Sequence, residues 1–228
     1  MSNDTSNDMS GNAATRNIVV FGAGGRVGRA AVAEAVARGH RVTAVVRDPA
    51  KYPDLAGDSV TPVRGDVTDP ASVAALAAGH DAAVNASVRL DVSSEEYFTT
   101  AAKALIAGLE EAGVRRLLTL GIATTLETEP GVRVMDAPDF PEEWRVFSQG
   151  HVAEFALLTA EAGPELDWLM VVPPQDLTAE AEVTGGYRTA VGTVIDGAGR
   201  IAHADLARAL LDEIELPRHS RVQLAVSV

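Results

Sequence analysis

The chain has 228 residues, 32 acidic against 19 basic side chains, a formal net charge of -13 and no cysteine. A chain of this length suits one domain that buries roughly 70% of the surface exposed when unfolded. The charge opposes a phosphate backbone or an anionic membrane, so neither nucleic acid nor membrane is an expected partner, and the missing thiols exclude disulfides, thiolate metal sites and a cysteine nucleophile.

The first sixteen residues, MSNDTSNDMSGNAATR, are polar, without a basic start or an apolar run. They read as a disordered tail, with the domain expected over 17–228 and a cytoplasmic location. No later run reaches the ~20 apolar residues of a spanning helix. After the tail, β-branched runs alternate with alanine-rich helical stretches. NIVVF (17–21) precedes a helix from Val27 to Arg38, RVTAVV (41–46) precedes a short turn, and VTPVRGD (60–66) leads to a helix at PASVAALAAG, capped by Asp69 with Pro70 at its first position. DAAVNAS (81–87) comes before a helix from Ser94 to Ala112, and VRRLLTL (114–120) follows. Residues 121–143 hold three prolines and no period, so a long loop is expected there. A helix from Trp144 to Ala162, the strand LDWLMVV (166–172), an irregular stretch (173–192), a helix over 203–214 and a strand over 221–226 complete the chain.

Such alternation predicts an α/β fold, a Rossmann-type doubly wound parallel sheet, because parallel neighbours need a crossover and a helix is the usual one. Ligands bind such sheets beyond the carboxyl ends of the strands, where the strand order reverses. The stretch GAGGRVG, directly after the first strand, lies on that edge. Gly22 permits the tight turn, Gly25 lets backbone approach a pyrophosphate, and Gly28 lets the helix pack on the strand. The spacing is G-x-x-G-x-x-G, since Val27 stands where G-x-G-x-x-G needs glycine; Gly24 adds a further flexible point. At the end of the second strand, where an NAD site carries an acid, stands Arg47, a residue suited to the 2′-phosphate of NADP(H). Arg26 is a second candidate for that phosphate. Asp66, ending the third strand, has two readings, a contact to the adenine amino group or the cap of a turn.

These features, with VVRDP, GDVTD, NAS, RRLLTLG and IAHADLARALLDEIE, resemble the short-chain dehydrogenase/reductase superfamily in its atypical, single-domain NAD(P)H-binding branch, similar to NmrA-like and biliverdin-reductase-B-like proteins. The resemblance covers nearly all of Asn17–Val228. It implies cofactor contacts at Gly22, Gly25, Gly28, Arg47, Asp66, Val67, Ala86 and Ser87, with Pro173 and Pro174 along the nicotinamide; the glycine turn adds Gly24, Arg26 and Val27. The superfamily's Tyr-x-x-x-Lys pair is absent, because FSQGH puts Phe147 and His151 in those two places. His151 then becomes a candidate either to hydrogen-bond the nicotinamide ribose, as the family's lysine does, or to serve as acid or base, and Thr124 and Thr125 supply hydroxyls after the fifth strand. Trp144 and Phe147 suit either a pocket wall or the core. No side-chain cluster has metal-ligand spacing, and no metal is expected.

The expected function is an NADPH-dependent reductase of a small conjugated or aromatic carbonyl, quinone or flavin-like acceptor. Two alternatives are a non-redox isomerase, dehydratase or cyclase of a biosynthetic pathway, and an NmrA-type NADP(H) sensor. The sequence leaves the oligomeric state open, a homodimer included.

Overall fold

The structure is a computed structural model that describes residues 14–228. It begins with β1 (Asn17–Phe21), α1 (Arg26–Ala37), β2 (Arg41–Val46) and β3 (Val60–Arg64). Next come α2 (Pro70–Ala77), β4 (Ala82–Asn85), α3 (Ser94–Ala112) and β5 (Arg116–Leu120). A hairpin of β6 (Glu127–Glu129) and β7 (Val132–Arg133) precedes α4 (Glu142–Glu161) and β8 (Asp167–Val172). The remainder is β9 (Asp176–Thr178), β10 (Arg188–Val191), β11 (Arg200–Ala202), α5 (His203–Glu215) and β12 (Gln223–Ser227).

One eight-stranded sheet runs β10, β12, β8, β5, β4, β1, β2, β3, and every neighbouring pair is parallel except β10 with β12. The central strands are nearly continuous apolar runs because both sheet faces are covered. α1 and α5 pack on one face around Ile18, Val20 and Leu210, and α2, α3 and α4 on the other around Phe21, Leu105 and Trp168. Pro62, which cannot donate to a ladder, lies in the edge strand β3. From β1 the chain steps through β2 to β3 in one direction and then from β4 through β5 and β8 in the other. The crevice beyond the carboxyl ends of β1 and β4 is therefore the switch point.

Several expected boundaries move. Residues 1–13 of the expected tail lie outside the described residues. Arg16, also assigned to the tail, is tied down: its N–H donates to His40 Nδ1 (3.2 Å) and its guanidinium to the Glu215 carbonyl (3.0 Å). The stretch 121–143 contains the β6–β7 hairpin, and α4 starts at Glu142, directly after Pro141. The irregular stretch 173–192 includes β9 and β10, and β11 forms beyond it. β10 is an edge strand with most of its residues exposed, so it carries no buried apolar run to announce it.

Candidate functional site

The site starts at Gly22, where β1 ends. Its φ is +76°, in the left-handed region, and a Cβ there would lie 2.6 Å from the Ser87 nitrogen. Gly28 serves packing: a Cβ would collide with the Gly22 carbonyl and come within 2.8 Å of Ala23 Cα, so α1 lies directly on the turn. The N-terminus of α1 has no side-chain cap, whereas Asp69 caps α2 (3.0 Å to the Ala71 N–H) and Ser93 caps α3 (3.2 Å to the Glu96 N–H). The first backbone bond of α1 is Arg29 N–H to Gly25 O, 2.9 Å, which leaves the amides of Arg26, Val27 and Gly28 without intrahelical acceptors. These groups favour an anion at the mouth of the turn.

A cleft of about 510 Å³ opens there. It gathers Gly22, Gly24, Gly25, Arg47, Asp66, Val67, Ala86 and Ser87 from four separate strand ends and turns. Lys51, Tyr52, Arg89 and Tyr97 line it as well, and none of these four was singled out from sequence. Lys51 had a readable signal: it is one of only two lysines and stands four residues beyond Arg47. The other three come from loops and a helix whose meeting at this cleft has no local signature.

Asp66 lines the cleft and also holds a turn, since its Oδ1 accepts from the Thr68 N–H (2.9 Å) and hydroxyl (2.6 Å). Those bonds, helped by the positive charges of Arg89 and Arg47, hold its carboxyl below the usual aspartate range against the opposing effect of burial. The Arg89 guanidinium pairs with Asp91 (2.5 Å) and lowers that carboxyl to about 2. The Tyr97 hydroxyl donates to Ser87 Oγ (2.8 Å), which in turn bonds the buried Asn85 Oδ1, and burial pushes the phenol upward.

A second cleft, about 460 Å³, lies beyond the ends of β5 and β8. Trp144 and Phe147 from α4, Pro173 and Pro174 after β8, Ile122 and Thr124 after β5, and Val27 from the first turn of α1 form its walls. The α1 N-terminus therefore stands between the two clefts. None of the thirteen residues lining the second cleft is ionisable; its side-chain polar groups are Thr124, Ser148, Gln175 and the Trp144 indole. Ser148 Oγ donates to the Trp144 carbonyl (2.7 Å) and lies 2.7 Å from Thr124 Oγ1, so Thr124 is the donor of that pair and its oxygen keeps its capacity to accept.

Three candidates are placed elsewhere. Arg26 is absent from both linings; its charge adds to burial, the larger cause, in disfavouring protonation of the His203 imidazole. Thr125 is buried, bonded to the Ile122 carbonyl (2.9 Å) and to Gln223 Nε2 (2.9 Å), and lines a separate groove. His151 lines neither cleft. Its ring lies 3.8 Å from the Phe98 centroid in the α3–α4 interface, and Nδ1 bonds Glu154 Oε2 (3.1 Å), whose other oxygen accepts from Thr119 (2.6 Å). Position 151 is one turn beyond Phe147, on a face of α4 packed against α3, and the short imidazole ends inside that interface.

Residues 22–217 match the model of a family described as NAD(P)H-binding. The chain belongs to this NAD(P)H-binding family. Among its relatives is the uncharacterized YwnB of Bacillus subtilis (strain 168), 32% identical over 216 residues, which are 92% of this chain and 97% of that protein. Two solved structures are similar over nearly their whole length. A provisionally named exported protein of Burkholderia pseudomallei is 34% identical, with a TM-score of 0.82 over 94% of this chain and all of that one. A provisionally named NADH-flavin reductase of Streptococcus pneumoniae TIGR4 is 28% identical, with a TM-score of 0.78 over 93% and 99% of the two chains. The donor set of the first cleft fits the family's ligand: free helix amides for a pyrophosphate and Arg47 with Lys51 for further negative charge. Among the described residues no helix is long and apolar enough to cross a membrane.

Proposed function

We propose that this family member is an NADPH-dependent reductase of a small, flat, uncharged acceptor of the quinone, flavin-like or conjugated carbonyl class. The carrying observation is the second cleft: an apolar chamber without an ionisable side chain, walled by Val27 in the first turn of α1, directly after the glycine turn that lines the first cleft. The similarity to a protein named as an NADH-flavin reductase supports the same class.

In this reading the amides at the start of α1 hold the pyrophosphate, and Arg47 and Lys51 select the 2′-phosphate. A reduced nicotinamide supplies the hydride, and the protein supplies position and shelter. Pro173 and Pro174 give the cofactor side a rigid wall, the Trp144 and Phe147 rings give an aromatic acceptor flat faces, and Thr124 Oγ1 accepts a hydrogen bond from an acceptor N–H or O–H. Trp144 is 48% exposed, so the chamber opens to water. Solvent then delivers the proton that a side chain delivers in superfamily members with the tyrosine. An isomerase or dehydratase needs a positioned acid or base, and with His151 inside the α3–α4 interface this chamber offers none.

The test is NADPH consumption with matched acceptors, a neutral naphthoquinone and the same ring bearing a carboxylate. The expected result is faster reduction of the neutral ring. Preference for the anion, or no consumption with any aromatic acceptor despite NADPH binding, rejects the reading.

A further inference from the structure

The glycine turn is held from outside by a loop that also carries two of the cleft's cations. Arg29, one turn into α1, donates from Nε to the Gly24 carbonyl (3.2 Å) and pairs through its guanidinium with Asp54. The same guanidinium lies over the Tyr52 ring, 5.4 Å from its centroid. That ring in turn covers Gly24 so closely that a Cβ at position 24 would lie 2.5 Å from it. Tyr52 and Asp54 belong to the loop after β2, which begins with Arg47 and includes Lys51. Gly24 therefore has a reason of its own in GAGGRVG: it makes room for an aromatic ring from a neighbouring loop.

We infer that Arg29, Tyr52 and Asp54 form a clasp that fixes the glycine turn against the Arg47–Lys51 loop and sets how fast a bound dinucleotide leaves. Arg29 and Asp54 act as positioning residues, and Tyr52 both positions the turn and walls the cleft. The inference rests on the NADPH reading above. Its physical basis is preorganisation: a turn and a cation-bearing loop already locked together lose little freedom when both engage one ligand. The contributions are unequal. The Arg29–Asp54 pair is exposed, and pairs of that kind contribute little, so the ring dominates.

The test uses the whole protein with two readouts. Amide hydrogen exchange over Gly22–Gly28 without ligand reports the clasp directly. Stopped-flow displacement of NADPH reports its dissociation rate. Tyr52→Ala is expected to speed exchange across the turn and to raise the dissociation rate roughly tenfold, while Asp54→Ala changes it by less than about threefold. Tyr52→Phe is expected to restore both readouts, because no hydrogen bond is made by the phenol oxygen among the described residues. If the wild type binds NADPH and Tyr52→Ala leaves exchange and dissociation unchanged, the clasp is refuted while the cofactor reading stands. If the wild type binds no NADPH, both fall.

Discussion

Arg47 and His151, both marked in the sequence as site residues, lie in different surroundings: one lines the first cleft, the other is buried between α3 and α4. Arg47 lines the cleft because it stands just past the carboxyl end of β2, the strand beside β1, on the edge where the glycine turn opens. His151 sits on a helix, where the side chain's destination depends on which neighbour packs against that face, and α3 covers it. His151→Ala is therefore expected to act on stability, lowering it by about 2–4 kcal/mol through lost ring packing and an unpaired buried Glu154 oxygen. Turnover per folded molecule should stay near wild type; denaturant melts paired with steady-state rates check this, and a stable but slow variant would return His151 to the chemistry. In the second cleft, Thr124→Val removes the hydrogen-bonding oxygen at nearly constant volume. A rise in KM for N–H- or O–H-bearing acceptors of about three- to tenfold, with kcat little changed, is expected from steady-state rates.

At the level of elements, the alternating runs announced β1, β2, β4, β5, β8 and the five helices because these strands are buried on both faces and the helices carry apolar stripes. The short strands β6, β7, β9, β10 and β11 had no such pattern: they are mostly exposed or three residues or fewer in length, and tertiary pairing defines them. The glycine turn was legible since its conformation demands particular residues. Gly28→Ala should cost about 1–3 kcal/mol, as the added carbon meets the Gly22 carbonyl and pushes α1 off the turn, with cofactor affinity falling in the same variant. Thermal melts and titrations measure both. His203 at the start of α5 tests the electrostatics there. Burial, and secondarily Arg26, lowers its pKa below the ordinary 6.5, so the folded state binds the proton less readily than the unfolded chain. Its contribution to stability is complete above that ordinary value and declines as pH falls from it toward the lowered folded pKa. Denaturant midpoints taken at mildly alkaline and mildly acidic pH should show a loss on acidification that is smaller in His203→Gln; an equal loss in both proteins would remove His203 as the cause.

For the whole molecule, a net charge of -13 surrounds a cleft whose lining includes three cations, Arg47, Lys51 and Arg89, and two acids, Asp48 and Asp66. Against the sign of the whole chain, this lining carries one more cation than acid where the ribose end of a dinucleotide lies in folds of this topology, with Lys51 paired to Asp48 and Arg89 to Asp91. The division into a charged first cleft and an uncharged second one depends on how loops after β2, β4, β5 and β8 converge, and a linear reading has no access to that convergence. Under the proposed function, the first cleft binds NADPH in preference to NADH through Arg47. Calorimetric titration of the wild type and of Arg47→Ala with each dinucleotide tests it most directly. NADPH is expected to bind the wild type at least about tenfold more tightly than NADH, and Arg47→Ala to remove most of that difference. Equal affinities in the wild type, or a preference that survives loss of Arg47, would contradict it.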